Sequence, residues 1–375
     1  MAGIDNGDVA TVLLGGDVML GRGVDQILPQ PGDPMLREQY VHDARTYVEL
    51  AELAHGPIAR PVDFRRPWGD VLPILAQFAP QVRLINLETS ITADGWFAPA
   101  KGIHYRMNPD NLPVLTAIAP VVCALANNHV LDFGTDGLSD TLDALDIAGI
   151  QRAGAGEDLD NACAPALFEL DDRRRVVIVS IAVGSSGVPA GWAARRGRPG
   201  LWRIGDAPSL RAADGVASEV LAHKRDRDTA IVSIHWGPNW GYGVALSEIQ
   251  FAHRLIDAGV DLVHGHSAHH PRPIEIYRGK PILYGCGDVI DDYEGIGGHA
   301  RYRPDLRLLY LISIEPDAMQ VRLIPLRIRR MRLESAAHSE CQWLCQTIEH
   351  ISHAFGTRVA PRPDGLPVVF EAVQR

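Results

Sequence analysis

Seven polar side chains of this 375-residue chain share one sequence context. Asp17, Glu88, Asn128, His129, His235, His266 and Asp288 each directly follow, or lie within a few residues of, a short apolar run that reads as a β-strand. Carboxylate, amide oxygen and imidazole in one set suit borderline divalent ions such as Mn²⁺, Zn²⁺ or Fe²⁺ better than Ca²⁺, which takes all-oxygen shells. Singly, each has an ordinary structural explanation. An Asp after Gly-Gly caps a turn, and a His after a strand is commonly satisfied within one. Seven such strand ends together point to a divalent-metal centre.

For these residues to meet, the strands carrying them must end on one edge. The apolar runs 10–14, 82–87, 121–125, 176–181, 230–234, 261–263 and 282–284 alternate with helical patterns such as 136–148 and 248–258. This is the βα rhythm of an α/β protein. In open α/β sheets, ligands bind outside the carboxyl ends of the strands, so residues far apart in sequence converge there. Strands at 308–314 and 320–324 follow, then a helix from 334 to about 354. Two stretches interrupt the rhythm: 25–70, mostly helical or irregular and rich in Pro and charge, and 184–203, containing SSGVP and GWAARRGRPGLWR. Long irregular segments often serve as lids or binding loops. The expected organisation is one domain over 1–330, with 25–70 as an inserted lid, and a C-terminal helical extension over 331–375 packed on it.

The bulk numbers fit this reading. Hydrophobic residues at 46% and charged residues at 22% describe a globular protein with a sizeable core. The net charge of 36 − 46 = −10 argues against nucleic acid as a partner, while leaving room for a local positive cluster to hold an anion. The N-terminus shows no basic segment followed by a long apolar stretch. No apolar run approaches the ~20 residues of a membrane span. Five scattered cysteines suit a reducing compartment, so the expectation is a cytoplasmic protein without a membrane partner. Cys341 and Cys345, four apart in a helical pattern, read as small buried hydrophobes. The oligomeric state is left open.

The segments GGDVMLGRGVD, INLETSIT, LANNHVLDFG, HWG and GVDLVHGHSAHHPRPIEIYRGKPILYGCGDVIDDY resemble the CapA (poly-γ-glutamate capsule biosynthesis) family, which is related to the calcineurin-like metallophosphoesterases. The match runs in order from about residue 12 to residue 293. The resemblance implies a four-layer α/β/β/α sandwich, two mixed β-sheets flanked by helices, with a dinuclear metal site between their loops. It implies Asp17, Glu88, Asn128, His235, His266 and His269 as ligands, with Glu88 in the bridging position. His129 would be the neighbouring histidine that stabilises the transition state. The chain departs from the phosphoesterase pattern in three places. Asp17-Val18-Met19 stands where Asp-x-His is usual, the bridging position is Glu rather than Asp, and two residues separate His266 from His269.

A metal pair would lower the pKa of a bound water from ~15.7 towards ~7 and polarise the oxygen under attack. His129 would act as proton donor, with Asp132 orienting it through its other ring nitrogen. Arg22, Lys101, Arg106, Arg196 and Asp288 are candidate contacts for a small-molecule or peptide-like anionic substrate, since arginine suits bidentate contact with carboxylate or phosphate. Three functions fit: hydrolysis or transfer at γ-glutamyl or peptide-like amide bonds, phosphoester hydrolysis of a small metabolite, and a non-catalytic scaffold role in polymer synthesis.

Overall fold

The computed structural model describes residues 9–170, 174–315, 318–361 and 370–374. Two sheets stack face to face. The larger runs in the order Thr357–Pro361, Phe370–Gln374, Met319–Ile328, Leu306–Ile314, Ala10–Val18, Val82–Leu87, Val121–Ala124, Gln151–Ala153. Its half from Ala10–Val18 to Gln151–Ala153 is parallel and the other half antiparallel. The smaller sheet runs Ile274–Tyr277, Lys280–Leu283, Leu262–His266, Thr229–His235, Arg175–Ala182, Ala166–Glu169, with its four middle strands parallel.

Strand periodicity sorts the apolar residues into three cores. Val12 and Leu14 of the first strand meet Val176, Ile178 and Ile231 of the other sheet in the layer between them. Their neighbours point outwards, as the period of two requires. Leu13 joins the core under the helices Arg45–His55, Val71–Phe78 and Gly134–Ile147. Val177, Val179 and Ile181 pack under Leu210–Ala222 and Leu246–Ala258. The result is the four-layer α/β/β/α sandwich with two mixed sheets.

The first strand extends beyond its apolar run, from Ala10 to Val18, straight through Gly15-Gly16-Asp17. It does so because Asp288–Ile290 adds in parallel to its end, pairing Asp17 with Asp288. Gly16 permits this approach, since a Cβ there would lie 1.8 Å from the Gly287 carbonyl oxygen.

The segment 25–70 is closely packed: its Ile27, Leu28, Val48 and Trp68 are buried in the core. After the helix His338–Ser352, the strands Thr357–Pro361 and Phe370–Gln374 join the larger sheet through Met319–Ile328. The segment expected to be a helical extension therefore also adds strands to the main sheet. Its strand signal is weak because Thr357 and Val359 are the buried positions of a run that ends in Pro361. Cys341 and Cys345 share the buried face of its helix, within the core between the sheets. Among the described residues, no helix is long and apolar enough to cross a membrane.

Candidate metal centre

The carboxyl ends of the strands bring two groups of ligand-type side chains together. Asp17, His235 and His266 form one and Asp17, His269 and Asp288 the other; within each, the ligand atoms lie within 4.8 Å of one another. All five residues are buried. Asp17 belongs to both groups and is the geometric centre of the site.

Three supports fix these side chains. Asn86, on the strand ending at Leu87, donates from Nδ2 to Asp17 Oδ1 (2.7 Å) and to Glu88 Oε2 (2.8 Å). Asn127 in turn donates to Asn86 Oδ1 (3.0 Å) and to the Leu87 carbonyl (2.8 Å). The Ser267 backbone N–H reaches Asp17 Oδ2 at 3.1 Å.

A relay between the sheets fixes the histidine tautomers. His264 Nε2 lies 3.0 Å from the Gly15 carbonyl, which only accepts, so the hydrogen sits on Nε2. Its Nδ1 then accepts from Ser233 Oγ at 3.0 Å, and that hydroxyl accepts from His266 Nε2 at 2.9 Å. His266 Nδ1 is left with a lone pair, directed to Asp17 Oδ1 (3.6 Å) and His235 Nδ1 (2.9 Å). Such outer partners are the usual means of presenting a ligand nitrogen to a metal.

The donor set fits a divalent cation on two grounds. His235 faces an acceptor at each ring nitrogen, His266 Nδ1 and Asn128 Oδ1 (3.1 Å), yet burial holds its pKa far below the usual histidine value. A neutral ring has one hydrogen, so one contact is acceptor against acceptor, and a cation relieves it. The carboxylates repeat the point. Burial and the neighbouring Asp288 push Asp17 up to about 7, and burial with Asp17 pushes Glu88 well above the carboxylate range. Against these, His269 offers compensating charge to Asp17 and Lys101 to Glu88; burial lowers the His269 pKa, but the Asp288 carboxylate at 3.0 Å outweighs that and raises it. Burial likewise raises Asp288, and His269 outweighs it in the other direction.

Glu88 Oε1 lies 3.9 Å from His235 Nε2 and 3.8 Å from His129 Nε2, so it and Asn128 border the Asp17–His235–His266 group. His266 and His269, expected to act as a pair, separate: His266 joins His235 and His269 joins Asp288. Asp288, expected to contact substrate, sits instead among the metal-ligand atoms, where its pairing with Asp17 across parallel strands puts it.

His129 Nδ1 is 2.7 Å from Asp132 Oδ2, which also accepts from the Tyr105 N–H at 2.7 Å. Burial lowers His129 to about 4. Burial raises Asp132, but His129 and Lys101 outweigh it and hold the carboxyl low. Lys101 was expected to contact substrate. Its Nζ instead donates to Asp132 Oδ1 and the Asn128 carbonyl and lies 2.9 Å from His129 Nδ1.

The arginines divide similarly. Arg22 faces a cavity of about 240 Å³ beside His269, lined also by Tyr47, Tyr105, Trp240 and Tyr293. Its guanidinium is already engaged by Asp292 (2.5 and 2.8 Å) and Glu38 (2.9 Å). Arg106 reaches the Asp33 carbonyl (3.2 Å) and lies over the Phe133 ring, while Arg196 is exposed on the 184–203 loop. Neither joins the metal-ligand groups. Asn86, Asn127, Ser233 and His264 escaped the sequence reading, although polar residues inside apolar strands were a usable signal.

Comparison with known proteins places this geometry in a family context. The model of the bacterial capsule synthesis protein PGA_cap matches residues 11–293. A protein of Mycobacterium tuberculosis named probable polyglutamine synthesis accessory protein is 61% identical over 99% of this chain and 98% of its own. The PGA biosynthesis protein CapA of Bacillus subtilis is 28% identical over 76% of this chain and 64% of its own. The crystal structure of TT1561 of Thermus thermophilus aligns with 82% of this chain and 99% of its own at 9% identity, with a TM-score of 0.37.

Proposed function

The chain belongs to the bacterial capsule synthesis protein family PGA_cap, and from that membership we propose that it is a metal-dependent accessory hydrolase of glutamate-polymer synthesis, cutting γ-glutamyl or peptide-like amide bonds. The observation that carries the reading is the pair of buried ligand groups sharing Asp17. Asp17, His269 and Asp288 would hold one divalent ion; Asp17, His235 and His266, bordered by Asn128 and Glu88, would hold a second. Bound there, such ions supply an activated water and polarise the carbonyl under attack.

The chain's own residues supply the proton path. Asp132 only accepts and is the shorter contact of Nδ1, at 2.7 Å against 2.9 Å for Lys101 Nζ, so the hydrogen of His129 is placed on Nδ1 and a bare Nε2 faces Glu88. A ring held neutral in this way can take a proton at Nε2 from the attacking water and return it to the leaving nitrogen. The Asp132 carboxylate steadies the charge that forms meanwhile, and the Lys101 ammonium fixes the Asp132 rotamer. The cavity beside His269 is walled by Tyr47, Tyr105, Tyr293 and Trp240, and seats the substrate portion next to the scissile bond.

The test uses purified protein supplied with Mn²⁺ or Zn²⁺ and offered γ-glutamyl p-nitroanilide beside bis-p-nitrophenyl phosphate. Anilide cleavage that falls about 100-fold or more in His129→Ala, with metal content unchanged, supports the proposal. Cleavage of the phosphate diester alone moves the chain to the phosphoesterase class. The accessory role in the relatives' names favours one further reading, a scaffold without activity; absence of bound metal after loading would count against the hydrolase and favour it.

A further inference from the structure

A cluster of arginines lies away from the metal centre. An open groove of about 700 Å³ is lined by Arg65, Arg66, Arg330 and Arg332, with Asp63 as the acidic residue among its walls. In a chain of net charge −10 this is a local reversal of sign. Arg332 is paired with Asp70 (2.7 Å) and Glu334 (3.5 Å), whereas Arg65, Arg66 and Arg330 have no ion-pair partner among the described residues. The Nε atoms of Arg66 and Arg330 are buried without a hydrogen-bond partner. Burial and the facing charges of Arg330 and Arg332 hold Arg66 below the usual arginine range. Arginine side chains left free to point into water would relax apart; these are held together.

The backbone does the holding. Arg330 and Met331 both adopt left-handed φ, at 54° and 50°, a conformation that costs a residue with a Cβ about 1–2 kcal/mol. The buried Glu294 carboxylate clamps them by accepting both backbone N–H groups at 2.6 Å. Opposite, Leu333 N–H donates to the Pro67 carbonyl and Asp70 N–H to the Leu333 carbonyl, both at 2.9 Å. Gly69 allows this closeness, since a Cβ there would lie 2.1 Å from the Leu333 oxygen. Two strained residues and a glycine contact thus press three arginines into one groove whose acidic wall residue is Asp63.

We propose that this groove is a docking track for an extended polycarboxylate, a run of glutamyl residues whose carboxylates are gripped by Arg65, Arg66 and Arg330. Guanidinium forks match carboxylates bidentately. An extended occupant follows from continuity. Glu294 lies in the 293–297 segment, of which Tyr293, Ile296 and Gly297 line the cavity with His269. Glu294 also holds the Arg330 backbone, so one loop borders the cavity and anchors an arginine of the groove. The choice of carboxylates over phosphates rests on the proposed function; binding itself does not require that anything be cut.

The test is fluorescence anisotropy of a labelled glutamate oligomer with the intact chain, beside single-stranded DNA of equal charge and vesicles containing phosphatidylglycerol. The expected results are binding that weakens with salt, and a loss of about tenfold or more in affinity in the double variant Arg66→Gln/Arg330→Gln. Arg65→Gln, at an exposed position, gives a second reading if the double variant fails to fold, and is expected to lose about threefold. No binding by the wild type, unchanged affinity in the variants, or tighter binding of DNA or vesicles than of the oligomer would each overturn the inference. An oligomer that binds but is never cleaved leaves this site standing and removes only the hydrolase reading.

Discussion

Replacing Asp17 by Asn isolates the electrostatic cost of the metal-free centre. Asp17 is fully enclosed, and burial together with the Asp288 charge raises it from 3.8 to about 7, although Asn86 donates to it at 2.7 Å. A carboxyl raised on folding binds more protons folded than unfolded between those two values. Its contribution therefore falls as pH rises through that window and is constant above about pH 7. Each pH unit inside the window is worth about 1.4 kcal/mol, so between pH 5 and pH 7 the metal-free wild type should lose about 3 kcal/mol that Asp17→Asn does not lose. The histidines pull the other way. His129, His264 and His270 are lowered by burial to about 4, so their contribution grows as pH rises from about 4 towards 6.5. They are common to both proteins and cancel in the difference. The assay is urea unfolding of both proteins in chelator across this range, repeated with Mn²⁺. Metal at about 100 times its Kd should return about 2.7 kcal/mol to the wild type and nothing to the variant. A difference that stays flat with pH, or that shrinks, would refute the assignment of Asp17 as the buried charge that binds metal.

Two further substitutions probe the supports. Lys101→Met should lower kcat about tenfold with KM little changed and metal retained, because Lys101 is tied to Asp132 and the Asn128 carbonyl; a rise in KM at constant kcat would return it to substrate binding. Gly16→Ala should cost about 3 kcal/mol or more in urea unfolding, since its Cβ would meet the Gly287 oxygen at 1.8 Å. It should also lower metal content by displacing Asp288, and a loss under about 1 kcal/mol would refute the close approach.

Much of the fold was legible because the strands are fully buried and carry their signal locally. Residues 82–87 appear as Val82–Leu87, and the run 230–234 lies within Thr229–His235. Where the signal is not local, reading by apolar runs stops early. The first strand passes through two glycines, and 370–374 owes its strand state to pairing with Met319–Ile328 and Thr357–Pro361. Neither fact is written in the segment itself. Pairing across a long loop supplies it, and pairing is what a single sequence conceals.

The site divides along the same line. Residue type and position after a strand are local properties, and they suffice to gather Asp17, Glu88, Asn128, His235, His266 and His269 around one edge. A residue's role depends on which neighbour has already claimed it. Asp288 cannot be told from a substrate contact until parallel pairing with Asp17 is known. Arg22 offers a free guanidinium in sequence, yet Glu38 and Asp292, 16 and 270 residues away, have taken it. Lys101 is similarly claimed by Asp132, 31 residues on. The arginines of the groove are the converse case. Read singly, Arg65, Arg66 and Arg330 are solvated loop charges. Glu294 and Gly69 hold the 330–333 turn against 65–69 and so gather them in one groove, which is the basis of the proposed docking site. Which charges are paired, and which are gathered without an ion-pair partner, is thus decided by contacts between distant segments that a single sequence does not display.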